Sequence, residues 1–179
     1  MLTIEIVTEE SYDEEKEEFV PANVVVVALE HSLVSLSKWE SIHEKPFLGK
    51  HQKTPQEMMS YIVCMTLTPS ISADVYNKLS ESNIAEIDEY INSKQTGTTF
   101  STIGEERSRE IITSEIIYYW MTAMNIDWQA QYWHLNRLLT LVRVINQKNA
   151  PKKKMNPSEI AARNRELNAQ RRAALGSTG

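Results

Sequence analysis

The sequence predicts a mainly α protein: a short N-terminal β-hairpin, an antiparallel helical bundle as the core, and an exposed C-terminal helix. Three observations carry that prediction. Five glycines and six prolines in 179 residues are too few for the many turns of an all-β sandwich or a doubly wound α/β fold. Between residues 32 and 145, successive segments separated by polar loops carry apolar side chains every three or four positions, the period of a helix with one buried face. At the start, Leu2, Ile4 and Ile6 alternate with Thr3, Glu5 and Val7, the period of a half-buried strand. With 41% apolar and 24% charged residues, the chain is neither disordered nor membranous in composition.

The elements follow in order. After the first strand comes an acidic stretch over residues 9–18, then Pro21 and the β-branched run from Val24 to Leu29, a second strand. Two strands cannot bury a face alone, so the hairpin must lie on the helices or pair with another copy. Ser32 opens a helix on which Leu33, Leu36, Trp39 and Ile42 step by threes, and the Lys45-Pro46 pair ends it. Thr54-Pro55-Gln56-Glu57 combines an N-cap, a proline in the first turn and the glutamate of a capping box, so a helix runs from 55 to about 67. Thr68-Pro69 breaks it. A short helix over 72–79 follows, then one capped by Asn83 that carries Ile84, Ile87 and Ile91. Residues 95–104, rich in hydroxyl and amide groups, read as a loop. A buried helix is expected over 105–124, with Ile112, Ile116, Tyr119 and Ala123 on one stripe. Asp127 caps a last core helix carrying Trp128, Tyr132, Leu135, Leu139 and Val142; it should pair antiparallel with its predecessor. Asn156-Pro157-Ser158-Glu159 caps a final helix with almost nothing to bury.

This divides the chain into an acidic hairpin over 1–30, a helical core over 31–148 and a basic tail over 149–179. The net charge of −5 conceals opposite ends. Residues 1–30 hold nine acids and one lysine, whereas residues 134–179 hold ten bases and two acids, so the chain can associate head to tail with itself or offer its tail to an acidic partner. The basic tail residues are Lys152, Lys153, Lys154, Arg163, Arg165, Arg171 and Arg172. No aromatic residue accompanies them for base stacking, and the chain as a whole is acidic, which disfavours nucleic acid as a partner. The tail also lacks the broad apolar face that a membrane surface requires. No run approaches 18 apolar residues and no basic leader precedes one, so the expected location is the cytoplasm.

Catalytic and cofactor chemistry find little footing. The single cysteine, Cys64, lies in an apolar run and reads as a core thiol. The histidines at 31, 43, 51 and 134 show no HExxH or Cys/His spacing for a metal. Acids such as Glu105, Glu106 and Glu110 fall on polar helix faces rather than in a paired apolar pocket. The scattered glycines make no phosphate-cradling loop. The sequence therefore predicts no catalytic residue, cofactor or metal. What remains is a dense aromatic set, which serves either as core or as a groove for a partner helix. The candidate partner contacts are Trp39, Phe47 and Leu48 near the first loop, and Tyr119, Trp128, Tyr132, Trp133 and Arg137 later in the chain.

Several long strings carry a resemblance. The run from His31 to Ser41 with Lys45-Pro46-Phe47-Leu48, the run from Glu115 to Met121, the run from Tyr132 to Leu141 and the ending from Arg163 to Arg172 are together similar to a small protein family of tailed bacteriophages. That family is usually placed with the tail assembly chaperones of long-tailed phages, and the similarity spans about residues 29–175. The resemblance implies a non-catalytic protein of the host cytoplasm that binds the helical tape-measure protein during tail assembly and keeps it soluble until tube subunits displace it; the hairpin edge and the opposite charges of the two ends add the expectation of a homo-oligomer. Two alternatives stand beside it: a structural virion protein of the neck or tail end, built through the hairpin edge, and a nucleic-acid-binding accessory protein acting through the basic tail.

Overall fold

The computed structural model describes residues 1–13, 18–50, 52–100, 111–150 and 157–176. It is helix-dominated with an N-terminal antiparallel hairpin, as the sequence predicts. The chain forms two compact units, Met1–Ile145 and Asn146–Gly179, and the hairpin belongs to the first.

Strands β1 (Leu2–Asp13) and β2 (Glu18–Leu29) pair with Leu2 opposite Leu29 and Asp13 opposite Glu18; the register shifts around Glu9. Alternation places Ile4, Ile6, Val27 and Leu29 on the buried face, while Val24 and Val26 face outward. The hairpin thus lies on the helices, as a two-stranded sheet must. Its core end is closed on both edges. Beside β2, Leu67 N donates to Ala28 O (2.8 Å), Glu30 N donates to Met65 O (2.9 Å), and Thr68 Oγ1 accepts from Ala28 N (2.9 Å). Beside β1, Asn83 Nδ2 donates to Glu5 O (3.1 Å).

Helix α1 (Leu33–His43) starts at Ser32, whose side chain accepts from Ser35 N, and stops where Glu44 turns left-handed at φ 53°. It is the hub: α2 (Pro55–Met65), α5 (Ser114–Ala123) and the 3₁₀ turn Trp128–Tyr132 all pack on it. The threefold steps of Leu33, Leu36 and Trp39 produce its fully buried face. Thr54 and Glu57 close the expected capping box of α2, with Pro55 in its first turn. The short α3 (Ala73–Tyr76) precedes α4 (Glu81–Asn92). Ser80, rather than the expected Asn83, is the cap of α4: Ser80 Oγ accepts from Asn83 N while Asn83 Oδ1 accepts from Ser80 N, each at 3.1 Å. Asn83 is the reciprocal member of the box, three residues in.

The second half departs further from expectation. Of the helix expected over 105–124, α5 begins only at Ser114; residues 101–110, with Glu105, Glu106 and Glu110, lie outside the described residues. The single helix expected from Asp127 is two elements, the 3₁₀ turn and α6 (Leu135–Asn149). The break at 133–134 has a tertiary cause. His134 pairs with Ser32 as an antiparallel bridge, and Leu135 N donates to His31 O at 2.7 Å. Trp133 is extended there (ψ 161°), and a continuous helix would have directed those backbone groups to its own turns. α5 accordingly has α1, not α6, as its main neighbour.

The bridge sits over a buried polar cluster. His31 Nδ1 shares a 2.5 Å hydrogen bond with Tyr61 OH, and the rings of His31 and His134 lie 5.0 Å apart. His134 Nε2 is 3.0 Å from Tyr90 O, and Tyr90 OH donates to Glu30 Oε1 at 2.7 Å. Burial, reinforced by His134, lowers the His31 pKa to about 3; burial likewise lowers that of His134 and raises those of Tyr61 and Tyr90.

In the second unit, every described side chain of α7 (Pro157–Leu175) is exposed. The expectation of a helix with nothing to bury is met in these residues.

Candidate functional site

The aromatic and basic residues selected from sequence separate into four environments. Trp39 and Phe47 are core. Trp39 is 1% exposed, donates from Nε1 to Glu57 O (2.8 Å), stacks on His43 and meets the edge of Phe47. Phe47 in turn stacks on Tyr61 with ring centroids 3.9 Å apart, and Lys53 Nζ lies 4.2 Å from its ring centre. Leu48, their neighbour, is 38% exposed. A cavity of about 400 Å³ lies beside this group, between residues 45–54 and the start of α2. On its rim Lys45 Nζ meets Glu57 Oε1 at 2.7 Å, which holds the Glu57 carboxyl down to about 2. His51 lies outside the described residues.

A different surface forms where α5 passes the 3₁₀ turn. Tyr119, Trp128 and Tyr132 are more than half exposed (68%, 56% and 55%). Tyr118 joins the last two: its ring lies 5.7 Å from that of Trp128, its hydroxyl donates to Gln131 Oε1 (3.1 Å), and its pKa is raised by burial and by Tyr132. Tyr119 points away from the buried stripe of α5, whose inward positions are Ser114, Ile117 and Met121. The expectation of a buried helix therefore fails on one side. Of the expected stripe, Ile112 and Ile116 are half-buried and Tyr119 and Ala123 exposed, because the row that faces the core is the neighbouring one.

The third environment is the start of α6. Trp133 is half-buried against the core with the exposed Arg137 guanidinium 4.3 Å above its ring centre. The fourth is α7, on which Arg163, Arg165, Arg171 and Arg172 are all exposed; Arg172 Nε donates to Asn168 O one turn back. Lys152, Lys153 and Lys154 lie outside the described residues.

Two features leave no mark in the sequence. Glu40 is 8% exposed, and its carboxylate accepts from Phe47 N (2.8 Å) and from Ser114 N (2.7 Å), joining the first loop to the N-terminus of α5. The other is a second cavity, of about 340 Å³, between residues 94–100 and α6. Glu40 gave no signal, since one acid among polar neighbours looks solvated; residues 95–104 were legible only as a loop. Among the described residues, no three His, Cys, Asp or Glu side chains gather as metal ligands would, and no helix is long and apolar enough to cross a membrane. Comparison with known proteins finds no match among family models, curated proteins or solved structures.

Proposed function

We propose that the chain is a tail assembly chaperone of the phage type: a non-catalytic protein that binds the helical tape-measure protein in the host cytoplasm and holds it until tube subunits take its place. The observation that carries this reading is the exposed pair Trp128 and Tyr132, which Tyr118 joins, with Tyr119 also exposed on α5. Indole and phenol rings combine a large apolar area with a polar tip and lose little conformational entropy when they bind. They are the side chains that most often anchor a partner, and an amphipathic client helix presents a matching stripe. The resemblance of residues 29–175 to the phage family supplies the identity of the client.

The test is co-expression with the tape-measure protein of the same phage. The expected outcome is a soluble, co-purifying complex that is lost when Trp128 and Tyr132 are replaced by alanine. A tape-measure protein that stays insoluble, with this chain found in purified virions, would replace the proposal by that of a structural neck or tail-end component. One observation favours that second reading: past Val7 and Val24 none of the described hairpin side chains is buried, and Tyr12 and Phe19, which pack edge to face at 5.2 Å, are more than half exposed, leaving a strand pair able to join a neighbour's sheet.

A further inference from the structure

We infer that the break between the 3₁₀ turn and α6 is an acid-sensitive clasp: with His134 neutral it holds the start of α6 to α1, and when His134 takes a proton residues 128–149 join into one helix. The chain suits both forms. Residues 127–149 contain no proline and no glycine. Trp128, Tyr132, Leu135, Leu139 and Val142 step by four, three, four and three, which is one stripe of a continuous helix about 33 Å long. The extended backbone of Trp133 (ψ 161°) interrupts it.

The clasp is made from backbone donors that a helix start leaves unpaired. His134 is the N-cap of α6. Its carbonyl accepts from Arg137 N (3.0 Å) and Leu138 N (3.1 Å), and its Nδ1 accepts from Asn136 N (3.3 Å). Leu135 N donates to His31 O at 2.7 Å. The other ring nitrogen, Nε2, lies 3.0 Å from Tyr90 O and carries the hydrogen, because a carbonyl only accepts. Nδ1 is therefore bare, and the geometry needs the neutral ring. A proton on Nδ1 turns the cap's acceptor into a donor aimed at the Asn136 N–H, and it places positive charge at the positive end of the α6 dipole. In one continuous helix the N–H groups of residues 135–137 bond to the carbonyls of residues 131–133, so opening leaves none of them unpaired.

Among the described residues, the charged and titratable groups around the ring are His31, Tyr61 of α2 behind it, Tyr90 of α4, Glu30 after β2, and the N-terminal ammonium 2.8 Å from Glu30 Oε2. Burial disfavours charge on His134 most strongly; the bond to Tyr90 O and the Glu30 carboxylate favour it, the ammonium opposes it, and the balance leaves its pKa below the ordinary 6.5. The closed form is thus fully favoured above that value and loses ground below it, by up to about tenfold per pH unit, because the open form binds the proton more readily. Trp128 and Tyr132 stand on the rebuilt segment, so on the client-binding reading the switch also moves their surface; the clasp itself does not rest on that reading.

The test follows the Cα chemical shifts of the full chain, without client, from about pH 7.5 down to about pH 4.5. Trp133 and His134 are expected to move from extended to helical values as pH falls below the ordinary histidine range, while the shifts of α1 stay native. His134→Asn keeps a cap acceptor and takes no proton, so its residues 133–134 should stay extended throughout. Shifts at 133–134 that remain extended until α1 itself unfolds, or that reach random-coil instead of helical values, would overturn the proposal. So would the same transition in His134→Asn.

Discussion

Two tryptophans of identical chemistry occupy opposite environments. Trp39, 1% exposed and hydrogen-bonded through its indole N–H to Glu57 O, is expected to cost about 3–5 kcal/mol when replaced by alanine, through lost burial and an empty site. Trp128 is 56% exposed, so Trp128→Ala should change stability by no more than about 0.5 kcal/mol and, on the chaperone function proposed above, should reduce client capture. Urea unfolding beside co-purification separates the two effects. His31 makes a second residue-level prediction. Its folded pKa of about 3 lies below its ordinary value of 6.5, so between those values the unfolded chain binds a proton that the folded chain refuses. The stabilisation is fully present above the ordinary value and is lost as pH falls toward about 3, at up to roughly 1.4 kcal/mol per pH unit. Unfolding midpoints measured from about pH 7 down to about pH 4 should fall less steeply for His31→Gln than for the native chain.

Among the elements, the boundaries set by local chemistry are the ones that follow the sequence. The Thr54, Pro55 and Glu57 box starts α2 at the expected residue, and Thr54→Ala should cost about 0.5–2 kcal/mol in thermal or urea unfolding. The start of α5 is instead set at a distance by Glu40. Its two carboxylate oxygens hold Phe47 N and Ser114 N, one of them an N–H of the first turn that the helix itself leaves unpaired. Glu40→Gln replaces one acceptor by a donor facing a backbone N–H, so a loss of about 1–3 kcal/mol is expected, and amide exchange should rise at both Phe47 and Ser114. The hairpin depends on its support in the same way. Its alternation was legible, but the chain after α2 and the Asn83 amide close its core end from positions far away in sequence.

Over the whole molecule, the two units differ in how much they bury. The first holds the core built around α1, whereas the described side chains of α7 are all exposed. Removal of residues 151–179 is therefore expected to leave the thermal midpoint within about 2 °C of the full chain, measured by the loss of tertiary signal. The helix-dominated class, the hairpin, the capped start of α2 and the exposed C-terminal helix were determined by sequence alone. Side-chain period and capping act over a few residues and need no distant partner. The break at 133–134, the burial of Trp39 and Phe47, the exposure of Tyr119, Trp128 and Tyr132, and the cleft beside α6 were decided only by the tertiary structure. Each depends on a contact across a long stretch of chain, such as His134 with Ser32 or Asn136 with Ser93. An aromatic stripe at helical spacing is the same string whether it faces the core or water, and only the packing of α1 against its neighbours determines which.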